Sequence, residues 1–235
     1  MKTFSLILII IFSLKFEFTF SQCNTFFNYK PGMVMELETF NAKNKKTGKI
    51  INQVKKYSDE SNKYEAFINS TQFDDKDKKI SEGEYTISCN NGTISLDLKS
   101  LIPQESLNAY ENMEVSFTGD NLEIPNSLKK GDKLKDGNLN GEVKDKNSNS
   151  IFSTLDFKIT DRTVEGQESV TTNAGTFDCY KISYNMILNT RMMGINIPVN
   201  MKGIDYIAPN VGVVKSEIFN KNGKLGGYTL LSKIN

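Results

Sequence analysis

The sequence predicts an all-β protein, mainly antiparallel, folded as a single curved sheet or half-barrel of about ten or more strands with one short helix. Apolar and polar residues alternate along most of the 235-residue chain, and side chains of a strand alternate between its faces with the same period. Turn dipeptides such as Asn91-Gly92 and Asn222-Gly223 separate the alternating runs. Only one segment has helical character.

The first 21 residues are predicted to be a cleaved signal peptide. Lys2 gives a basic start, residues 4–14 form an apolar run, and small residues lie three and one positions before a cleavage site at Gln22. A membrane-spanning helix needs about 20 apolar residues, so a secretory signal is preferred to a membrane anchor. Residues 22–235 then form a single β-rich domain, secreted or periplasmic.

Each predicted strand is a run whose apolar side chains share one face. The runs are residues 33–38, 50–54, 64–68, 85–90, 94–98, 113–117, 151–159, 164–172, 180–188 and 195–201, of which 180–188 is predicted to be the longest strand. Residues 203–234 follow as a strand, a Pro/Gly corner and a closing hairpin. Asn222-Gly223 predicts a two-residue type I′ turn, because both central residues of that turn need positive φ.

The helical exception is residues 100–113. Pro103 suits the first position of a helix, and Leu107 and Tyr110 lie three residues apart on one side. Residues 121–135 are predicted to be a loop or a covering segment.

A sheet with so little helix to cover it must bury its apolar faces against each other, as a curled sheet, a barrel or a sandwich. Strong curvature is the simplest of these solutions, and it creates a concave face. If that face is open, it is expected to bind a lipid, an acyl chain or an envelope protein. The predicted lining residues come from two consecutive strands: Tyr180, Tyr184, Met186, Leu188, Ile197 and Met201.

The three cysteines, Cys23, Cys89 and Cys179, predict one disulfide and one free thiol, because exported proteins meet an oxidising environment. The sequence leaves the pairing open. Lipid anchoring at Cys23 is disfavoured, because the preceding Gln22 stands where a lipoprotein signal needs a small residue.

Charge argues against nucleic-acid binding. The chain has 29 basic and 28 acidic residues, and removal of the predicted signal peptide leaves 27 of each, whereas nucleic-acid binders usually carry a basic excess. The lysine-rich segments 43–49 and 76–79 are interpreted as solvated hairpin turns rather than docking patches.

Residue composition also limits catalysis. The chain has no histidine, which excludes Ser-His-Asp and Cys-His nucleophilic machinery and His-ligated zinc. A carboxylate-based hydrolase is the remaining enzymatic alternative, with candidates among Asp74, Asp75, Asp77, Glu82 and Glu84. These acids lie in lysine-rich turns, so the prediction is a protein without catalytic residues.

No cofactor or metal site is predicted. Residues 136–141 resemble the first half of an EF-hand loop, but Asn147 stands where the loop needs its closing Glu. Met186, Met192, Met193 and Met201 could supply thioethers to copper, yet Met186 and Met201 fall on the apolar face of their strands, where Met commonly fills the core.

Three blocks carry a family resemblance: residues 81–92, 173–182, which contain Ala-Gly-Thr-Phe-Asp-Cys, and 206–215, which contain Ala-Pro-Asn-Val-Gly. Together they resemble the TapB-like secreted proteins of Bacteroidota, a domain-of-unknown-function group whose sheet is similar to the lipoprotein carriers LolA and LolB. The resemblance implies a curved antiparallel half-barrel with a short helix across its open side, and no catalytic residues.

The sequence therefore predicts a non-catalytic secreted binding module for a hydrophobic ligand or an envelope partner. The alternatives are a structural or interaction protein whose sheet interior is fully packed, and an atypical carboxylate hydrolase.

Overall fold

The computed structural model describes residues 23, 26–60, 63–101, 110–192 and 194–235. Within these residues thirteen strands form one sheet in which every neighbouring pair is antiparallel, so the predicted fold class is confirmed. The strands are β1 Val34–Asn41, β2 Lys46–Glu60, β3 Lys63–Asp74, β4 Lys79–Asn90, β5 Thr93–Leu96, β6 Met113–Asp120, β7 Leu122–Pro125, β8 Gly137–Asp145, β9 Ile151–Thr172, β10 Gly175–Met192, β11 Ile195–Ala208, β12 Gly212–Asn220 and β13 Leu225–Ile234. The predicted signal peptide lies outside the described residues.

The sheet curls into a nearly closed barrel. Its order is β6-β8-β9-β10-β11-β12-β13-β1-β2-β3-β4-β5-β7, and its two end strands, β6 and β7, are separated in the chain by Asn121 alone. One nearly continuous segment therefore pairs with β8 through its first eight residues and with β5 through its last four. This segment forms the seam where the two ends of the sheet meet.

Little of the described chain is helical. Leu98–Leu101 forms a short 3₁₀ segment, whereas residues 102–109, which contain most of the predicted helix, lie outside the described residues. Among the residues that the structure describes, no helix has the length and apolar character needed to cross a membrane. The predicted loop at 121–135 is partly strand, because β7 occupies Leu122–Pro125.

The closing hairpin is present, but its turn is not type I′. Asn222 is absent from the residues with positive φ, whereas Gly223 has a φ of 74°. Asn220 N–H donates to Lys224 O, and Gly223 N–H donates to Asn220 O, so three residues form the loop and only the last needs the left-handed conformation. The Asn220 side chain makes this loop possible, since its Oδ1 accepts the N–H groups of Asn222 and Lys224.

Two predicted strands, 151–159 and 164–172, form the single strand β9. At 22 residues it is longer than β10, at 18 residues, so the prediction that residues 180–188 form the longest strand was wrong. A bulge divides β9 at Asp161, whose φ is 55°. The bulge reverses the alternation and turns Arg162 inward.

Most of the barrel interior is filled. Phe26, Phe27 and Tyr29, from the segment before β1, are buried among side chains from the barrel strands. The loop between β7 and β8 adds Leu128 and Leu134 to the same core. A second, smaller cluster has Leu98, Leu139 and Ile159 at its centre.

Candidate functional site

The candidate site lies on β10 and β11, where five of the six predicted lining residues share one stretch of the sheet. Met186 lies opposite Met201, Leu188 opposite Val199 and Thr190 opposite Ile197. Directly paired residues of an antiparallel sheet point to the same face. Tyr184 follows on that face, opposite Gly203.

The apolar face continues across three further strands. Residues paired in register on β9, β8 and β6 include Leu155, Phe157 and Ile159, then Leu139 and Val143, then Val115 and Phe117. We call these five strand segments the wing: β6, β8, residues 151–160 of β9, 184–192 of β10 and 195–201 of β11. We call its apolar inner face the trough.

The opposite face of the wing is polar. Its outward residues include Asn189 and Arg191 on β10, Asn196 and Asn200 on β11, Asp156 and Lys158 on β9, and Asn138, Asn140 and Glu142 on β8. Ile187 is the main apolar exception on β10. The wing therefore has one polar face and one apolar face.

The apolar face is exposed to solvent toward the tip of the β10–β11 hairpin. Ile195, Ile197 and Val199 are 67%, 53% and 38% exposed. Met201 is the first residue of β11 that pairs with β12, through Asn220. The hairpin therefore extends six residues past that strand, which corresponds to about 20 Å.

Tyr180, the sixth predicted lining residue, lies elsewhere. Its ring packs edge-on against Phe26 with a centroid distance of 5.6 Å, and it belongs to the filled part of the barrel. The segment before β1 thus covers the inner face at Tyr180, while the face from Tyr184 to Ile195 belongs to the trough.

A polar group closes the inner end of the trough. The Tyr184 ring lies flat over Gly203, where a Cβ would come within 2.3 Å of the ring. The Tyr184 hydroxyl donates to Asp205 Oδ1 at 3.2 Å, and the Ser216 hydroxyl donates to the same oxygen at 2.6 Å. Desolvation raises the pKa of Asp205, although both hydrogen bonds and nearby Arg162 oppose the shift.

Arg162 joins this inner end to the seam of the barrel. The buried side chain donates from Nη1 to Glu123 O at 2.9 Å and to Lys135 O at 2.6 Å. Burial lowers the pKa of the guanidinium group, whereas Asp205 and Asp136 raise it. Glu123 lies on β7, so Arg162 ties β9 to the opposite end of the sheet.

The sequence reasoning missed both Asp205 and Arg162. Asp205 could have been found, since it keeps the alternation of Met201 and Ile207 and is the acidic residue on their face. Arg162 could not, because the bulge at Asp161 reverses the alternation and carries no sequence signal of its own.

The free edge of the wing is unsuited to pairing with another strand. Backbone groups of successive residues point to alternate sides of a strand. Asn220 N–H points to β13, so its partner Met201 points its own backbone groups to β10. Pro198, three residues earlier, faces the open edge and lacks an N–H to offer there.

The cysteines resolve into one bridge and one thiol. Cys23 is bonded to Cys89, with Cα atoms 5.6 Å apart, and Cys179 is free and buried. Burial raises the pKa of the Cys179 thiol to about 11, so the thiol is protonated and unreactive near neutral pH.

The carboxylates of the hydrolase alternative occupy turns and surface pairs. Asp74 Oδ1 accepts two backbone N–H groups of its own turn, and Asp77 pairs with Lys49 at 2.7 Å. Glu82 borders a shallow depression of about 430 Å³ and pairs with Lys79. Hydrogen bonds from the lysines lower the pKa values of Asp77 and Glu82, whereas a glycosidase-type general acid needs a raised pKa.

The comparisons with known proteins agree with this architecture. The model of the DUF3108-like family matches residues 30–231. Two crystal structures are similar at 26% identity, and each comparison covers 91% of this chain and 100% of the other chain. One is a protein from Bacteroides fragilis that is inferred to be exported and has a YmcC-like fold, with a TM-score of 0.70. The other is inferred to be a lipoprotein of Parabacteroides distasonis, with a TM-score of 0.71.

A search of the curated proteins found no match. The predicted membership of an exported domain-of-unknown-function group is supported by these comparisons. The finer resemblance to TapB-like proteins and to LolA and LolB stays a prediction.

Proposed function

The chain belongs to the DUF3108-like family, and we propose that it is an exported, non-catalytic module that binds a hydrophobic ligand in the trough. Its fold is similar to the folds of two proteins inferred to be exported or lipid-anchored. The ligand class is an acyl chain or a comparably extended apolar group, held side-on against the wing.

One observation carries the proposal: the trough is apolar in register across five strands and is exposed at its outer end. Ile195, Ile197 and Val199 expose more than a third of their surface, although burying such side chains is worth about 1.5–3 kcal/mol each. Monomeric proteins seldom expose a contiguous apolar surface that nothing binds.

The free edge favours a ligand held by side chains. A peptide added as an extra strand would need the outward N–H groups of β11, and Pro198 interrupts them at the middle of the exposed stretch. An acyl chain needs only apolar contact, which Leu188, Ile197 and Phe157 supply.

We further propose that the exported chain carries no lipid anchor at Cys23. The Sγ atom that acylation would modify is bonded to Cys89 and buried.

Adjacent residues of β10 provide the test, since Leu188 faces the trough and Ile187 faces outward. We expect Leu188→Asn to weaken binding of a fluorescent fatty acid by about tenfold, because one buried leucyl contact is worth about 1.5 kcal/mol or more. Ile187→Asn makes the same kind of substitution on the polar face of the wing and should leave the affinity for the probe within twofold of that of the unmodified chain.

Titration of the probe by fluorescence, with unfolding of each variant as a folding control, measures the difference. Equal affinity of both variants, or no saturable binding to the unmodified chain, would reject the trough as a ligand site. The second outcome would favour the structural alternative, which already describes the filled part of the barrel around Phe26.

A further inference from the structure

The exposed apolar side chains are concentrated at one end of the barrel. The large hydrophobic residues with the greatest exposure are Phe67, Ile80, Ile151, Ile195, Ile197 and Val199. All except Phe67 lie within six residues of the β3–β4, β8–β9 or β10–β11 turn. In an antiparallel sheet alternate hairpins share an end, and the sheet order places these three turns at the same one.

Three turns at that end of the barrel share one loop geometry. In the β1–β2, β3–β4 and β12–β13 turns, Asn41, Asp74 and Asn220 each accept the N–H groups of the residues two and four positions later. Asn44, Asp77 and Gly223 supply the positive φ. The backbone and these few side chains build the loops, so the lysines are free to face solvent.

Each of these turns presents two exposed lysines: Lys43 and Lys45, Lys76 and Lys78, and Lys221 and Lys224. The β1–β2 and β12–β13 turns contain no acidic residue, and the Tyr228 hydroxyl of β13 donates to Asn44 in the β1–β2 turn. In the sheet they follow the β10–β11 hairpin directly. A basic patch therefore adjoins the exposed apolar tip.

The stagger between strands brings the two features to one rim. Because of the strand register, the tip of each hairpin ends short of the tip of the previous hairpin, measured along the strands. This holds from β8–β9 through β10–β11 and β12–β13 to β3–β4. Strands of a barrel tilt by roughly 35–45° from its axis, so a steady setback keeps successive tips near one level. The hairpins of the wing project furthest at this rim.

We propose that this hairpin end of the barrel docks onto an anionic membrane surface, with the lysine turns at the headgroups and Ile195 and Ile197 inserted at their level. Basic side chains beside exposed apolar ones are the combination that binds an anionic interface. The sequence suggested only solvated turns, because the common end appears only once the strands are paired.

The proposal does not depend on a ligand in the trough, and the test separates the two. The quadruple variant Lys43→Gln, Lys45→Gln, Lys221→Gln and Lys224→Gln removes the patch while retaining every loop hydrogen bond. The matched control, Lys30→Gln, Lys63→Gln, Lys129→Gln and Lys130→Gln, removes the same charge from exposed lysines at the other end.

Flotation with vesicles of equal parts phosphatidylglycerol and phosphatidylcholine measures docking. We expect the unmodified chain to float with these vesicles and to float weakly with phosphatidylcholine alone. The patch variant should lose about tenfold or more in partitioning, and the control should lose less than half as much on a logarithmic scale. Equal loss in both variants, or no flotation of the unmodified chain, would overturn the proposal whatever the fatty-acid titration shows.

The absence of tryptophan from the chain allows a second readout. Ile195→Trp places a fluorophore at the exposed tip, and Phe67→Trp places one at the exposed position away from the rim. Anionic vesicles should shift the emission of the first variant to shorter wavelength and leave the second unchanged. A shift in both or in neither would contradict insertion of the tip.

Discussion

Asp205 is an acidic residue on an otherwise mainly apolar face of the sheet. It points to the inner face of β11, on the same side as Met201 and Ile207, where an apolar side chain would be ordinary. Ser216 and Tyr184 donate to its carboxyl group, and the Arg162 side chain contributes positive charge nearby. Desolvation outweighs these favourable contacts and raises the pKa of the carboxyl group.

This raised pKa predicts a pH dependence of stability. The folded state holds the proton more tightly than the unfolded state, whose carboxyl has the ordinary value of 3.8. The contribution of Asp205 is therefore most favourable below that value and is lost as pH rises through the folded pKa. Asp205→Asn removes the titration while retaining an oxygen for Ser216 and Tyr184.

Urea unfolding of both proteins from pH 3 to pH 7 measures the effect. We expect the stability of the unmodified chain, relative to the Asn variant, to fall as pH rises across this window. A relative stability that rises with pH would show that Arg162 and the hydrogen bonds stabilise the charged form more than burial destabilises it.

At the scale of elements, the hairpin loops form because one side chain serves as the acceptor for two backbone N–H groups. In the β12–β13 loop this residue is Asn220, whose Oδ1 accepts Asn222 N–H at 2.9 Å and Lys224 N–H at 3.1 Å. The second residue of the loop with the same side chain, Asn222, is exposed. Asn222 can therefore serve as the control position for a substitution of Asn220 in the same loop.

We expect Asn220→Ala to lower the free energy of unfolding by about 1–2 kcal/mol, because two backbone donors lose their protein partner. Asn222→Ala should cost less than about 0.5 kcal/mol, as for an ordinary surface substitution. Chemical denaturation of the two single variants compares them directly, and equal losses would show that the side chain of Asn220 does not organise the loop.

The strands could be predicted because alternation is a local property of the sequence. Runs such as 64–68 and 195–201 each became part of a strand, β3 and β11, and the fold class followed from their number. Turn type needed more than the dipeptide, since the hydrogen bonds of Asn220 displaced the type I′ turn expected for Asn222-Gly223.

The candidate site could be predicted only within one hairpin. Met186, Leu188, Ile197 and Met201 came from the alternation of β10 and β11, whereas the other strands of the trough depend on register, which pairing over long separations sets. Tyr180 shares the alternation but packs against Phe26, a contact between residues far apart in sequence. Periodicity identifies a face and does not show what covers it.

At the scale of the whole molecule, the barrel has one filled end and one open wing. The segment before β1 fills the first: Phe26 is fully buried, and Phe27 packs where a Cβ on Gly212 would come within 2.7 Å of its ring. The disulfide from Cys23 to Cys89 holds the start of this segment to β4. The bond and the packing of Phe26 and Phe27 thus act on the same segment, which covers the inner face at Tyr180 and leaves the trough uncovered.

The loop that this disulfide closes has a sequence separation of 66 residues, for which the chain-entropy model gives a stabilisation of about 4 kcal/mol. We expect the double variant Cys23→Ser and Cys89→Ser to lose a free energy of unfolding of that order in urea. Its circular dichroism should remain that of a β protein, because the sheet hydrogen bonds do not involve the bridge.

Peptide mapping with iodoacetamide provides the covalent control for this prediction. In the unmodified chain Cys179, which is fully buried, should be alkylated only after unfolding, while Cys23 and Cys89 should appear in one linked peptide. A bridge that includes Cys179 would contradict the pairing. A double variant as stable as the unmodified chain would show that packing of Phe26 and Phe27 alone holds the segment in the barrel.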